Sequence, residues 1–506
     1  MQLRQRLERL ARIVFPFLED EADSFVFRWF PVLALAVVAL GALAALVMLG
    51  AGLSGDENAY RDVAKAIGDY VSVRGGDAAT LVRQIVGYGW FMPGMPVVIS
   101  PMFVLSSDPH VIAIRLYALG FNILLWVWML REVQRNVGSR FALALLVFPT
   151  LHITPQFFGY TIWGDLPAGM VMAIVLARLY AFGVRSVEGD PPGLGDIARL
   201  ELICALMVYL RGSTLLVVVA AHVFLLVLPF LACAWRSALR LAVHLATGAL
   251  MFAALIAPWS LTATRILGHP VITTSTVNLS LGITFGDASK LCDGRCATGN
   301  IWLNAAAFAR QRAEATGTSE LKVQKQMAQD ALEGLGLRQY LRKVLRNFRS
   351  YLLEPHGFNG RFVTSSLLVP DAAEQSVISL LKWIFNPVYF LFLCGWIAAN
   401  LTVVRTEASS QVLSLVVKLG TTCVLLQPFL HQSHPRYWPS FAPLIAVAAM
   451  FVVERWRSRC GAVRLVAVKA PADVAARKAE TILTTIQLIY VAVLLATAAL
   501  VVGLGR

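Results

Sequence analysis

The sequence predicts an all-α, polytopic membrane protein, and three observations predict it. Apolar residues make up 58% of the 506-residue chain against 15% charged ones, with a mean hydropathy of +0.67, whereas soluble domains carry about 45–50% and about 25%. Long uncharged runs recur, several of them reaching the roughly 20 residues a helix needs to cross the hydrocarbon layer. Lysine and arginine cluster where those runs end, as the positive-inside rule requires of cytoplasmic loops. The same figures exclude disordered, collagen-like and small disulfide-stapled chains. A formal net charge of +14 would suggest nucleic acid in a soluble protein. Here the basic residues flank apolar runs, so topology and contact with membrane lipids account for them, and no nucleic-acid partner is expected.

Residues 1–28 form a basic amphipathic leader carrying Arg4, Arg6, Arg9, Arg12 and Arg28 among several acids. The uncharged run Trp29–Leu53 follows, with no small-residue cleavage site after it, and reads as an uncleaved first span with a cytoplasmic N-terminus. In the first outer loop, 54–110, Tyr60, Val63, Ala64, Ile67 and Val71 recur at helical spacing and predict a helix lying in the interface plane. A second span, Val111–Leu130, closes on Arg131, Arg135 and Arg140. Phe141–Ala177 is too long for one crossing and has basic clusters at both ends. It predicts two spans joined by a tight turn near Thr154–Gly164. Leu200–Trp235, flanked by Arg199 and by Arg236 and Arg240, likewise predicts two short helices meeting near Arg211-Gly212-Ser213.

Leu241–Thr264 completes an N-terminal membrane module, 29–264. Residues 265–375 are mostly polar, contain no span and carry a helical, charge-rich stretch from Ile301 to Tyr351. They are expected outside the membrane as a mainly helical segment. The last part, 376–506, holds spans near 378–404, 411–430 and 437–453, a basic segment Arg455–Lys478, and a final span at Thr481–Leu504. The sum is about eleven spans. No repeat period or low-complexity tract is present.

Cys204, Cys233, Cys394 and Cys423 lie in apolar runs and read as packing residues, and Cys460 falls in a cytoplasmic stretch. Cys292 and Cys296 stand in Cys-Asp-Gly-Arg-Cys, where Gly294 allows a tight bend. An oxidising compartment favours a local disulfide there, and a zinc site would lack a second pair of ligands.

Chemistry concentrates in a few places. Ser54-Gly55-Asp56-Glu57-Asn58-Ala59-Tyr60 puts two adjacent carboxylates directly after the first span. They read either as catalytic acids or as a helix start, Asp56 capping and Glu57 favoured by the dipole. Phe91-Met92-Pro93-Gly94-Met95-Pro96 predicts a rigid bend before the chain re-enters the membrane. Arg211, between two short helices, is the most intramembrane basic residue and is functional by default. Asp165 is its candidate ion partner, or a second acid. In His431-Gln432-Ser433-His434-Pro435-Arg436-Tyr437-Trp438-Pro439, Arg436 offers a planar fork for phosphate oxygens, or snorkels to ordinary headgroups. His431 and His434 stand three apart, but further metal ligands are not identifiable.

Taken in order, these pieces resemble the GT-C superfamily of membrane glycosyltransferases, and within it the branch of protein O-mannosyltransferases and the aminoarabinose transferase that modifies lipid A. Asp56-Glu57 with Tyr60 and Ala64 resembles the family's acidic pair in its first outer loop. Pro93-Gly94-Met95-Pro96 resembles its Pro-Gly-aromatic-Pro bend. Arg115 early in span two, Arg211 after a short span, Pro258-Trp259 closing a span, and Arg436-Tyr437 with Pro439 and Pro443 follow in the family's sequence. The likeness covers roughly residues 30–455. Met95 replaces the commoner aromatic, and Thr264-Arg265 replaces Arg-Asn.

The resemblance implies a GT-C fold in a bacterial inner membrane, with the active site facing the periplasm. It implies a donor sugar on a polyprenyl phosphate and a glycan, lipid or protein acceptor. Asp56 would act as general base with Glu57 as helper or orienter. The donor phosphate would meet Arg211 and Arg436, with His434, Arg265 and Arg361 as further cations, and Tyr60, Asp165 and Tyr437 would line the pocket. No obligatory metal or cofactor is implied. The rivals are a lipid-linked polysaccharide ligase or polymerase, and a secondary transporter, which would carry internal repeats.

Overall fold

The computed structural model describes residues 36–47, 52–53, 55–73, 77–87, 89–150, 152–231, 235–296, 300–355, 373–405, 407–431, 435–459 and 474–505. The leader, much of the expected first span, Cys233, Cys460, His434 and Arg361 lie outside the described residues. Among the described residues the ordered elements are all helical.

Helix α1 (Ala36–Val47) is followed by α2 (Asp56–Val71), α3 (Ala78–Val86) and α4 (Gly94–Leu105), and then by the long α5 (Val111–Asn136). The stripe read for α2 holds over most of its length: Val63 and Ala64 are buried, Tyr60 and Ile67 are half-buried with Tyr60 edge-on to Phe91 at 4.5 Å, and Val71 at its end is exposed.

The run 141–177 divides into α6 (Ser139–Leu145), α7 (Ile153–Tyr160) and α8 (Asp165–Val187). The turn is shorter than expected, because Ile153–Tyr160 is helical. Pro155 sits in the first turn of α7, where its missing N–H costs no hydrogen bond. Only 161–164 is left to reverse the chain. The next run breaks where the Arg-Gly-Ser signal falls. Helix α9 (Leu194–Leu210) ends at an extended Arg211, a short 3₁₀ turn covers Gly212–Thr214, and α10 (Leu215–Leu231) begins. Helix α11 (Trp235–Leu267) follows.

The polar segment folds as α12 (Val277–Phe285), α13 (Ile301–Thr316), α14 (Glu320–Leu332) and α15 (Leu337–Leu353). The chain then returns through α16 (Glu374–Leu401), α17 (Ala408–Leu425), the short α18 (Gln427–Leu430), α19 (Ala442–Arg459) and α20 (Val474–Gly505).

Seven of the described helices are long and apolar enough to cross a membrane: Val111–Asn136, Asp165–Val187, Gly212–Leu231, Ala238–Leu267, Gln375–Leu401, Ala408–Leu430 and Ala479–Gly505. Of these, α8 is the axis, with 78% of its apolar window buried. A helix apolar all round is a core helix, and α8 packs against α5, α9, α10 and α17.

Ion pairs gather the arginine-rich helix ends at one end of the bundle. Arg178 meets Glu132 at 2.8 Å, Arg140 meets Glu454 at 3.1 Å and Arg185 meets Asp196 at 3.0 Å. The opposite end carries α2–α4, the 161–164 turn, Arg211 and α12–α15.

Cys292 and Cys296 form a disulfide, with Cα atoms 5.7 Å apart, inside a small core made with Leu279, Ala305, Ala309 and Met327. A soluble maleimide is therefore expected to label neither cysteine until reductant is added, as read by peptide mass spectrometry. Labelling of both without reduction would contradict the disulfide.

Candidate functional site

The chain enters α2 through Gly55, and Asp56 is already the first helical residue, with no side-chain cap bond. The reading of Asp56 as a cap is thereby corrected: the glycine occupies the capping position. Successive helical residues point about 100° apart, so the two acids diverge. Asp56 stays partly exposed, while Glu57 turns inward and is fully buried.

Glu57 meets Arg115, which is equally buried, in the first turns of α5. One carboxylate oxygen pairs with Nη1, and the other accepts from Nη2 at 2.9 Å. Arg115 also donates to the Gly52 carbonyl at 2.7 Å and lies 5.7 Å from the Tyr160 ring centre. Such a pair repays its desolvation only when both ions are fully engaged, and these are.

The 161–164 turn connects this pair to a second one. The Ile162 amide donates to Glu57 Oε1 at 3.1 Å. Three residues later Asp165 opens α8 and forms an ion pair with Arg211. Arg211 donates through Nε to Ser213 Oγ at 2.9 Å, and its guanidinium lies 4.6 Å from the Tyr437 ring centre, a cation–π distance.

The backbone contact that brings these parts together needs glycine. A Cβ on Gly164 would come within 2.0 Å of the Leu210 carbonyl oxygen, and one on Gly94 within 2.4 Å of that of Tyr209. The Pro-Gly-Met-Pro bend thus seats α4 on the end of α9, one residue before Arg211.

Tyr351, from the last turn of α15, is buried against Phe441 at 4.6 Å. Burial pushes its phenol pKa up, against the opposing charge of Arg211, so it keeps its proton and donates to Gln427 Oε1 at 3.3 Å. An aromatic series continues outward: His431 is edge-on to Tyr437 at 5.8 Å, Trp302 stacks on His431 at 6.0 Å, and Trp90 meets Trp302 at 6.4 Å.

Asp165, Arg211 and Tyr437 are thus assembled together, with Glu57 held at the other end of one short turn. Tyr60 lies one helical turn beyond Asp56. Arg436 belongs to the 3₁₀ turn Pro435–Ser440 beside Tyr437, and its side chain lies outside the described atoms. Arg265 is exposed in the last turn of α11. Among the described residues no group of three or more His, Cys, Asp or Glu is placed to hold a metal ion.

Sequence reading did not find Tyr351, Trp302 or the clamp on Glu57. Arg115 carried a usable signal, a charge early in an apolar run. Tyr351 carried none beyond its place at the end of an amphipathic helix. No family model matches the chain, and neither does any curated protein or solved structure.

Two stability outcomes follow. Glu57→Gln leaves Arg115 buried without its carboxylate and should cost about 3–5 kcal/mol, whereas the double replacement Glu57→Leu/Arg115→Leu should cost less, both read from thermal unfolding. Gly164→Ala forces α8 away from α9 and should cost about 1–3 kcal/mol in the same assay. Wild-type melting of Glu57→Gln or of Gly164→Ala would contradict the packing described.

Proposed function

We propose that the chain is a membrane glycosyltransferase of GT-C type, with about eleven spans, resident in a bacterial inner membrane with its site facing outward. It moves one sugar from a polyprenyl-phosphate donor to an acceptor hydroxyl. The observation that supports this most is the division of labour between neighbouring acids. Glu57 is locked on Arg115, while Asp56 is partly exposed on the same rigid first turn. A positioned carboxylate of that kind suits general-base catalysis.

In the proposed reaction Asp56 takes the proton of the acceptor hydroxyl as its oxygen attacks the anomeric carbon. The bond to the donor phosphate breaks on the opposite face, so the anomeric centre inverts. Negative charge grows on the leaving phosphate, and preorganised donors stabilise it best where water is scarce. Arg211 and Arg436 are assigned that role. Asp165 and Ser213 hold Arg211 in one orientation, so that its guanidinium is fixed for the phosphate. Glu57 orients the first turn and takes no proton. The leaving group is already acidic, so the mechanism calls on no metal.

Asp56→Asn should lower transfer by about 10²–10⁴-fold with unchanged melting, whereas Glu57→Gln should lose activity and stability together. The measurement is release of polyprenyl phosphate from a labelled polyprenyl-phosphate sugar, with and without envelope extract as acceptor. Full turnover by Asp56→Asn would overturn the assignment, and loss of turnover with chelator, restored by a divalent ion, would overturn the metal-free mechanism.

A further inference from the structure

Helix α15 carries Arg338, Arg342, Lys343, Arg346 and Arg349 and no acidic residue. Its opposite face is fastened down. Leu341, Val344 and Tyr351 are buried, Tyr340 donates to the Phe429 carbonyl at 2.8 Å, and Asn347 donates to that of Pro428 at 3.0 Å. Lys343 also has a structural task, donating to the carbonyls of Phe285 and Gly286 at 2.9 and 2.7 Å and so closing the C-terminus of α12.

Four arginines remain. All are exposed, and their spacing of four, four and three residues aligns them on one side of the helix. Like charges at that spacing repel. Among the described residues the one ion pair that touches the row is Arg349 with Glu354, at 3.5 Å and exposed on both sides. A row of this kind does not stabilise the helix, which points to a partner outside the chain.

Its position identifies the partner. Helix α15 packs on the end of α20, where a Cβ on Gly505 would lie 3.1 Å from the Leu341 carbonyl oxygen and 3.4 Å from Leu345 Cβ. Arg342 stands three residues before Leu345 and Arg349 four after, so both are its neighbours on the helix surface. The α20 span has only 11% of its apolar window buried, and Leu495, Leu500, Val502 and Leu504 stay exposed towards that same end. A long apolar helix with so little cover faces lipid. The arginines therefore flank the level at which hydrocarbon gives way to headgroups.

We propose that Arg338, Arg342, Arg346 and Arg349 form a binding site for the phosphate headgroups of anionic lipid, seating α15 on the leaflet at this end of the bundle. Guanidinium presents two parallel N–H groups to phosphate oxygens, and basic clusters beside a membrane are drawn to anionic lipid. The seat bears on the site because the last turn of α15 places Tyr351 against Phe441 beside the Arg211 cluster. The inference does not rest on glycosyl transfer.

The test uses the full chain, partly delipidated in mild detergent and offered phosphatidylglycerol or phosphatidylcholine, with retained lipid counted by native mass spectrometry. Wild type should retain phosphatidylglycerol preferentially. The combined variant Arg338→Gln/Arg342→Gln/Arg346→Gln/Arg349→Gln should lose that preference, each arginine contributing up to on the order of fivefold. The corresponding four-lysine variant should keep most of it, and salt should weaken it. An unchanged preference in the glutamine variant would overturn the proposal. So would displacement of phosphatidylglycerol by dextran sulfate but not by anionic vesicles, which would assign the row to a soluble polyanion. A readout on the unmutated protein guards against misfolding: hydrogen exchange at 337–353 should slow in phosphatidylglycerol nanodiscs relative to phosphatidylcholine ones, and equal exchange would overturn the proposal.

Discussion

A buried charge needs a partner close by, and that requirement organises the Arg211 end of this protein. In a low-dielectric interior an unpaired ion is far costlier than a paired one, so each buried carboxylate dictates where its arginine stands. Glu57 with Arg115 fixes the start of α2 to the start of α5. Asp165 with Arg211 fixes the start of α8 to the gap between α9 and α10. The Ile162 amide, donating to Glu57, ties the two pairs through a turn too short to let them move independently. Asp56 is carried on the helix that the first pair anchors.

Much of the fold was legible because lipid imposes a simple rule on sequence. Apolar runs of spanning length, with basic residues at alternate ends, predicted the breaks after Leu210 and before Asp165 that the structure contains. The 161–164 turn was read too long, because a proline inside an apolar run looks like a breaker, yet in the first turn of a helix it costs no hydrogen bond. Asp165 as a partner for Arg211 was legible from charge alone, since two intramembrane charges of opposite sign have few alternatives. Glu57 and Arg115 were visible as residues, but the direction in which each acid of the pair points depends on where the helix begins. That start is set by Gly55.

Other buried polar groups left less trace. Lys418 sits in an apolar run that reads as an ordinary span. Its ammonium donates to the Thr402 carbonyl at 2.8 Å and to Ser414 Oγ at 2.7 Å, closing the end of α16. Glu201 and His222, 3.0 Å apart, join α9 to α10 within the apolar bundle. In each case the partner is supplied by packing, and nothing local announces it. The same holds for Gly94 and Gly164, whose need for a missing Cβ arises only when α4, the 161–164 turn and α9 meet backbone to backbone.

Pairing also decides what kind of recognition the site can perform. An arginine already neutralised by Asp165 projects little field, so it attracts a distant anion weakly. At contact its behaviour differs, because a guanidinium held by a carboxylate and a serine oxygen presents its planar N–H fork in one fixed orientation. The Tyr437 ring on its face narrows the approach further. Such a cation selects by geometry at short range and is nearly silent at long range. The exposed row on α15 has the opposite character, with charges that neighbouring acids scarcely offset and that act on whatever lies along the membrane surface. On the proposed readings, this end of the bundle separates two electrostatic tasks: attraction to a surface by unneutralised arginines, and discrimination at a point by a neutralised one.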